Sequence, residues 1–392
     1  MHVLIIPSEQ FGAQDAPLAG MFQRDQARVL SLAGARVGVI APKPRSLRQL
    51  RPTSMPKRAS FLTDRDGEVS VHRFDDWVWI PERAPYAFGR VFRHVGQRLY
   101  DRYVEDCGAP DVLHAHNALY GGSLAVHLKR RTGLPVVLTE HSSAHLTGTM
   151  RGWQRRIARD VYRNVDVRIA VSPALCHALE AQDSPVSGNW RWIPNVLDPL
   201  FEDQAIRDTR ARGTFQFLTV GSLKPVKNHA GLIRAFAEAF GDDRAVELRI
   251  VGAGPLRAEL EALVASLGVA QQVRFLGYLG REDVLTEMQT CDAFVLPSTH
   301  ETFGVVLIEA LACGRPVIAT ACGGPEDIVG EEDGILVPAQ KLDALRGALG
   351  CMRETSDRYS PADIRSRCLR RFGRSIVAKQ LLAVYRVLLE NE

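Results

Sequence analysis

The chain has 392 residues, 24% charged and 46% hydrophobic, with a formal net charge of +4. That length exceeds one ordinary core and suits two α/β domains of about 150–200 residues each. The composition is that of a globular protein and excludes a low-complexity or tandem-repeat architecture.

The first element, His2–Pro7, contains four apolar residues in a row, Val3 to Ile6, before polar Ser8-Glu9-Gln10. Such a run reads as a buried strand and is too short for a signal-peptide core or a bilayer span. Seven cysteines without a Cys-x-x-Cys spacing point to free thiols in a reducing compartment, with the cytoplasm as the default address and no structural zinc. Further strands are expected at Arg36–Ala41, Val112–His114, Pro135–Thr139 and Val167–Val171, with helices such as Gly20–Ala33 and Gly122–Thr132 between them. After Ile193-Pro194-Asn195 the pattern restarts, with strands at Phe215–Gly221, Val246–Val251, Val273–Leu276, Ala293–Leu296 and Pro316–Ala319. The last helix, Ser375–Leu389, is amphipathic and is expected to cap the second domain or cross back to the first. Alternation of short apolar runs with helix-length segments predicts two successive Rossmann-like halves, with ligands at the carboxyl ends of the strands in a cleft between them.

Charge divides unevenly. Residues 1–195 carry 26 Lys and Arg against 18 Asp and Glu, whereas the remainder carries 23 against 27. Arginines cluster at Arg45, Arg48, Arg51, Lys57 and Arg58, at Arg90, Arg93, Arg98 and Arg102, and at Arg151, Arg155, Arg156, Arg159 and Arg163. A basic half-molecule attracts anionic lipid, an acidic glycan or nucleic acid, although charge runs are also ordinary solvated faces. Within the third cluster Arg151, Arg155, Arg159 and Arg163 repeat every four residues along Met150–Arg163, a pattern that reads first as a solvated helix face and second as an anionic membrane surface.

Three segments of the second half carry the chemistry. The stretch His300-Glu301-Thr302-Phe303-Gly304 through Glu309 follows a strand and leads into an apolar helix. Thr302 is expected to cap that helix, aiming its free amides at a diphosphate, and Gly304 lets a ligand approach the backbone. Glu309 lies about 12 Å beyond Glu301 at ~1.5 Å per residue, a gap that a nucleoside diphosphate sugar spans. One carboxylate would take sugar hydroxyls and the other the ribose diol. Glu309 interrupts the apolar run from Val305 to Ala312, so if buried it needs a hydrogen-bonding partner. The second segment, Gly221-Ser222-Leu223-Lys224-Pro225-Val226-Lys227, places Lys227 to neutralise a departing diphosphate, with Lys224 in reserve. The third, Gly252-Ala253-Gly254-Pro255, fails as a dinucleotide fingerprint because Arg257 stands where the third glycine belongs; it reads as a tight turn with Pro255 at a helix start.

In the first half, His114 and His116 end a strand and are expected to point to opposite faces, with His116 reaching the cleft. His141, with Ser142, is a second candidate for touching an acceptor, and Gly20 opens a helix where close donor approach is plausible.

These segments in this order, with Cys322-Gly323-Gly324-Pro325-Glu326-Asp327 after them, resemble family-four glycosyltransferases of the GT-B fold. Gly20-Met21-Phe22-Gln23-Arg24-Asp25, His114-Ala115-His116-Asn117, Thr139-Glu140-His141 and Val171-Ser172-Pro173 extend the resemblance through the first half, as in bacterial polysaccharide-synthesis members. The resemblance implies a retaining transferase that uses a UDP- or GDP-sugar, without bound cofactor or metal. Residues 1–195 with the helix 375–392 would hold a glycan or lipid-linked acceptor, and residues 196–374 the donor. Glu309 would hold the ribose and Glu301 the donor sugar. Thr302, Phe303, Gly304 and Val305 would offer amides, Lys227 would bind the diphosphate, and Tyr278 and Leu279 would face the base. Gly20, Ser222, Lys224 and Gly252 complete the donor set, and His116, Glu301 and Lys227 the catalytic one. Many relatives carry an arginine where this chain has Ser222, so the diphosphate clamp rests on Lys227 with Lys224 or a first-domain arginine. Nucleic acid is not an expected partner; peripheral contact with the cytoplasmic face of an inner membrane is. The alternatives are a nucleotide-sugar epimerase on the same fold, a non-catalytic nucleotide-sugar-binding subunit and, least favoured, an oxidoreductase.

Overall fold

The computed structural model describes residues 1–8, 11, 20–46, 60–78, 85–182, 189–207 and 213–390. Arg48, Arg51, Lys57 and Arg58 of the first basic cluster lie outside the described residues. The chain divides into two compact units: Met1–Val171 with Leu175–Val196 and Val377–Glu392, and Leu197–Ile376 with Ser172–Ala174.

The first unit runs β1 (His2–Ile6), α1 (Met21–Leu32), β2 (Arg36–Ser46), β3 (Ser60–Asp66), β4 (Val69–Val78), α2 (Pro85–Cys107), β5 (Val112–His116), α3 (Ser123–Thr132), β6 (Val136–Glu140), α4 (Gly152–Asn164), β7 (Val167–Ala170), α5 (Pro173–Gln182) and β8 (Trp190–Trp192). Its sheet has the order β3-β4-β2-β1-β5-β6-β7-β8. All pairings are parallel except that of β3 with β4. Strands β1, β5 and β6 are buried along their whole length, as the central strands of a sheet covered on both faces must be, and this is why they read as apolar runs. The β3–β4 hairpin was absent from the expected elements. It turns through Gly67-Glu68, where glycine supplies the φ of +61° that the first residue of a tight two-residue hairpin loop needs.

The second unit runs α6 (Pro199–Glu202), β9 (Phe215–Val220), α7 (His229–Phe240), β10 (Val246–Val251), α8 (Arg257–Ser266), β11 (Val273–Gly277), α9 (Arg281–Thr290), β12 (Ala293–Leu296), α10 (Val305–Ala312), β13 (Val317–Ala321), β14 (Gly334–Pro338), α11 (Leu342–Thr355), α12 (Pro361–Phe372) and α13 (Arg374–Glu390). Its six strands, all parallel, have the order β11-β10-β9-β12-β13-β14. Pro255 stands in the turn before α8, two residues ahead of the helix start expected for it.

The far end of α13 returns to the first unit. Val377, Leu381, Leu382, Val384 and Tyr385 join the core that Val3, Ile5, Val37, Val39 and Val137 build. Burying such apolar side chains contributes about 1.5–3 kcal/mol each. Among the described residues, no helix is long and apolar enough to cross a membrane.

Candidate active site

In the second sheet β9 and β12 are neighbours, but the chain leaves β9 toward β10 and leaves β12 toward β13. The loops beyond their carboxyl ends therefore diverge, which opens the crevice where parallel α/β sheets bind ligands. Hydrogen bonds from Thr299 and Lys227 tie these loops together. The Thr299 amide donates to the Val226 carbonyl at 2.8 Å, and Lys227 Nζ donates to Glu301 Oε2 at 2.6 Å. Glu301 is held in turn by its own backbone: its amide donates to the Cys322 carbonyl and its carbonyl accepts from the Gly324 amide. Glu326 fixes the far side of this bridge by accepting from the Cys322 and Gly323 amides.

Helix α10 starts at Val305, and its cap is Gly304, in the left-handed region at φ +100° with no side-chain cap. The expected cap by Thr302 is thereby corrected: the glycine turns the chain into the helix, and Thr302 lies two residues ahead of that cap. The first amides of α10 have no acceptors inside the helix and carry the positive end of its dipole. Phe303 is buried, its ring edge-on to Phe372 at 5.8 Å. Gly324 packs on its backbone, where a Cβ would come within 2.3 Å of Phe303 Cα.

Glu309, one turn into α10, is 3% exposed. Arg281 Nη1 donates to its Oε1 at 3.0 Å, while Nη2 of the same guanidinium donates to Asp198 Oδ2. Asp198 also caps α6 by accepting from the Leu200 amide at 2.8 Å. Burial pushes the Glu309 carboxyl up to about 7; Arg281 pulls it down and Asp198 adds to the rise. The partner that Glu309 requires is therefore Arg281. Sequence reasoning did not single it out, because nothing distinguishes this arginine from its neighbours until α9 sets it across from α10.

The remaining donor-side candidates border the same carboxyl edge. Gly252, at φ +144°, sits so close to the β9 loop that a Cβ would lie 1.9 Å from the Gly221 carbonyl oxygen. Its role in the structure is this close approach of two loops. Tyr278 is half exposed and, with Leu279, forms the loop after β11. Ser222 accepts from the Lys224 amide through its carbonyl, and the Lys224 side chain is exposed.

In the first sheet the corresponding divergence lies between β1 and β5. His114 and His116 share one face of β5, contrary to the expectation of opposite faces: residues two apart on a strand point the same way. Their rings stack at 4.9 Å, and His116 stacks on His141 at 5.2 Å, with His116 Nδ1 2.9 Å from His141 Nε2. His114 is a scaffold group, bonded to Tyr385 at 2.6 Å and Thr139 at 2.8 Å. Burial lowers all three rings, His114 and His141 to about 3 and His116 well below its ordinary value. His116 is fully buried, and among the described residues its Nε2 has no hydrogen-bond partner.

Glu140, at the end of β6, is 1% exposed and organises the loops beside these rings. Its carboxylate accepts from the Ala118, His141 and Ser142 amides and from the Tyr162 hydroxyl. Asn117 bridges the same loops, accepting from the His141 amide and donating to Ser8 Oγ, which also accepts from Gln23. Gly20 is the left-handed start of α1, at φ +68°, and Phe22 in its first turn lies 4.4 Å from the His141 ring. The roles of Glu140, Asn117 and Gln23 were missed because buried polar residues at strand ends read the same whether they brace a loop or touch a ligand.

Two family models match the chain: Glycosyltransferase Family 4 over residues 19–199 and Glycosyl transferases group 1 over residues 202–351. The chain is 28% identical to the D-inositol 3-phosphate glycosyltransferase of Frankia alni over 86% of its own length and 87% of that protein. It is 33% identical to an uncharacterized glycosyltransferase of Methanocaldococcus jannaschii, over 44% of this chain and only 45% of that protein. Sucrose-phosphate synthase from Thermosynechococcus elongatus shares the fold, with a TM-score of 0.79 at 23% identity, covering 100% of this chain and 99% of that one. The Anabaena protein HepE, solved with UDP-glucose, superposes with a TM-score of 0.70 at 19% identity, covering 99% of this chain and 100% of that one. One family model falls on each half of the chain and one parallel sheet lies under each, and the chain belongs to the family-four glycosyltransferases of the GT-B fold.

Proposed function

We propose that this glycosyltransferase moves a sugar from a nucleoside diphosphate sugar to a hydroxyl of a glycan or lipid-linked acceptor, with retention at the anomeric carbon. The observation that carries the reading is the Lys227–Glu301 pair at 2.6 Å beside the free amino end of α10. A cation and oriented amides stabilise a departing diphosphate, while a carboxylate beside them accepts sugar hydroxyls. Glu301 takes the donor sugar, the amides of Thr302 to Val305 and Lys227 take the diphosphate, and Lys224 is its auxiliary. Glu309, oriented by Arg281, takes the ribose diol, and Tyr278 and Leu279 take the base.

In the reaction the bond from the anomeric carbon to the diphosphate oxygen breaks through an oxocarbenium-like state. The acceptor oxygen bonds to the same face, and its proton passes to the leaving phosphate. His116 offers a neutral Nε2 to a sugar hydroxyl, with His141 and Ser142 toward the acceptor. We read the transfer as metal-independent, so chelator leaves turnover unchanged.

A thermal-shift screen against UDP-, GDP- and ADP-sugars tests the donor, since a ligand of the native state raises its stability with the logarithm of its excess over Kd. One base class should stabilise the second unit, and the shift should vanish in Glu309→Ala. Equal, absent or Glu309-independent shifts for all three would overturn the donor assignment. UDP-sugar is the first choice, given the UDP-glucose bound by HepE.

A further inference from the structure

The basic cluster on α2 separates into two pairs. Arg98 and Arg102 lie over the Phe61 ring at 4.8 and 4.1 Å, a cation–π contact that accounts for both. Arg90 and Arg93 instead line a cavity of about 240 Å³ with Tyr86, Tyr120, Ser123 and Ile157. Arg93 Nη1 donates to Ser123 Oγ at 3.2 Å, and among the described residues neither arginine has a carboxylate within ion-pair distance. Elsewhere in the first unit this is not the rule: Arg24 and Arg28 share Asp66, and Arg131 is paired with Asp101.

The positive charge at the cavity is only partly compensated. Burial lowers the Arg93 guanidinium, and repulsion from Arg90 and Arg130 lowers it further. Asp160, the one carboxylate acting against this, stands 3.6 Å from Arg130. A partly buried guanidinium, Arg93, facing the exposed Arg90 gains most from an anion with several acceptor oxygens, for which the planar fork of arginine is suited. The other walls are apolar and aromatic. Tyr120 is set by Phe88 and Phe92 at 5.4 and 5.5 Å, and Tyr86 stands half exposed at the rim. At this volume the cavity takes one end of a ligand rather than a whole drug-sized molecule, which needs about 300–1,000 Å³. Tyr120 and Ser123 lie four and seven residues beyond His116, at the end of the turn that leaves β5.

We infer that Arg90 and Arg93, with Ser123 and the tyrosine walls, form a phosphate-binding subsite for a phosphorylated glycosyl acceptor. The inference rests on the reading that the first unit holds the acceptor. The phosphate belongs to a soluble sugar phosphate or to a lipid headgroup, and the two sources are separable.

The test uses the full chain with its donor site saturated by UDP, whose own binding heat is recorded first. Inorganic phosphate and glucose 6-phosphate are titrated, with glucose as control, into wild type and Arg90→Gln/Arg93→Gln. Flotation with phosphatidylglycerol and phosphatidylcholine vesicles runs in parallel. The subsite predicts phosphate-dependent binding weakened at least tenfold in the double variant, with the UDP heat unchanged. It also predicts a tenfold kcat/KM advantage of glucose 6-phosphate over glucose as acceptor, lost in that variant. If the headgroup is the source, flotation on phosphatidylglycerol replaces the soluble response and falls in the variant. Phosphate binding and flotation that are both indifferent to the two arginines overturn the subsite. A missing UDP heat with an intact arginine-dependent phosphate response removes the donor reading alone. Arg93→Lys keeps the charge but not the fork and should recover only part of the binding, which separates recognition from misfolding.

Discussion

Replacing Arg281 with methionine removes the only cation that touches Glu309 among the described residues and leaves two carboxylates, Glu309 and Asp198, 3% and 8% exposed. Breaking a buried pair from one side costs about 3–5 kcal/mol when the surviving charge stays ionised. Glu309 has an escape, because it can take up a proton. With Arg281 present its carboxyl already lies at about 7 against an ordinary 4.5, a difference worth about 3 kcal/mol. Without the arginine it moves higher. The native state then binds a proton that the unfolded chain has released, so stability falls as pH rises from 4.5 through the raised native value. Arg281→Met should therefore cost about 1 kcal/mol or less near pH 5 and about 3–5 kcal/mol at pH 8.5, read by urea unfolding followed on the second unit. Adding Glu309→Gln should recover at least 1 kcal/mol at pH 8.5, the coupling expected of touching residues. A loss that is equal at the two pH values, or a double variant no better than the single one, would refute the reasoning.

The buried histidines of the first unit carry the opposite sign. His114 and His141 lie at about 3, below the ordinary 6.5, so their stabilisation is complete above 6.5 and is lost as pH falls toward 3. His114→Gln should flatten that acid loss when unfolding of the first unit is followed by hydrogen exchange; an unchanged profile would exclude His114 as its source. Gly252→Ala places a methyl 1.9 Å from the Gly221 oxygen, at a φ that L-residues avoid, and should lower the melting temperature by several degrees and weaken nucleotide binding. Alanine tolerated without either effect would show that the two loops are free to part. Glu140→Gln keeps the size but weakens four hydrogen bonds at one carboxylate, and should cost about 2–4 kcal/mol with nucleotide affinity in the second unit unchanged. His116→Ala should lower turnover more than donor binding, as an altered kcat at constant nucleotide Kd; near-normal turnover would remove it from the chemistry.

Much of the architecture was legible because parallel sheets covered on both faces require uninterrupted apolar strands: β1, β5, β6, β9, β10 and β12 all stand where such runs occur. The hairpin β3–β4 escaped notice because its strands mix charge with apolar residues and only Gly67 marks the turn. At the site, Glu309 was conspicuous as a carboxylate in an apolar helix, and burial physics alone demanded a partner. Which residue answered was hidden, since Arg281 is 28 positions away and Asp198 is 111 away, and contacts at that separation are set by sheet order. The cap of α10 was misassigned for a local reason. Threonine is a common cap, but the left-handed glycine next to Val305 makes a sharper turn into the helix than a threonine side chain would. The stacked histidines were misread because a strand's period of two places alternate residues, not opposite ones, on a shared face.

The central claim is that a nucleoside diphosphate sugar is held at the carboxyl edge of the second sheet by the loops after β9, β11 and β12. Amide hydrogen exchange with and without saturating UDP tests it most directly. The account predicts slowed exchange at residues 221–228, 278–280 and 301–309, centred on the first turn of α10, with Lys227→Ala and Glu309→Ala each reducing the protection. Protection confined to other segments, or protection of these three that persists in both variants, would contradict it.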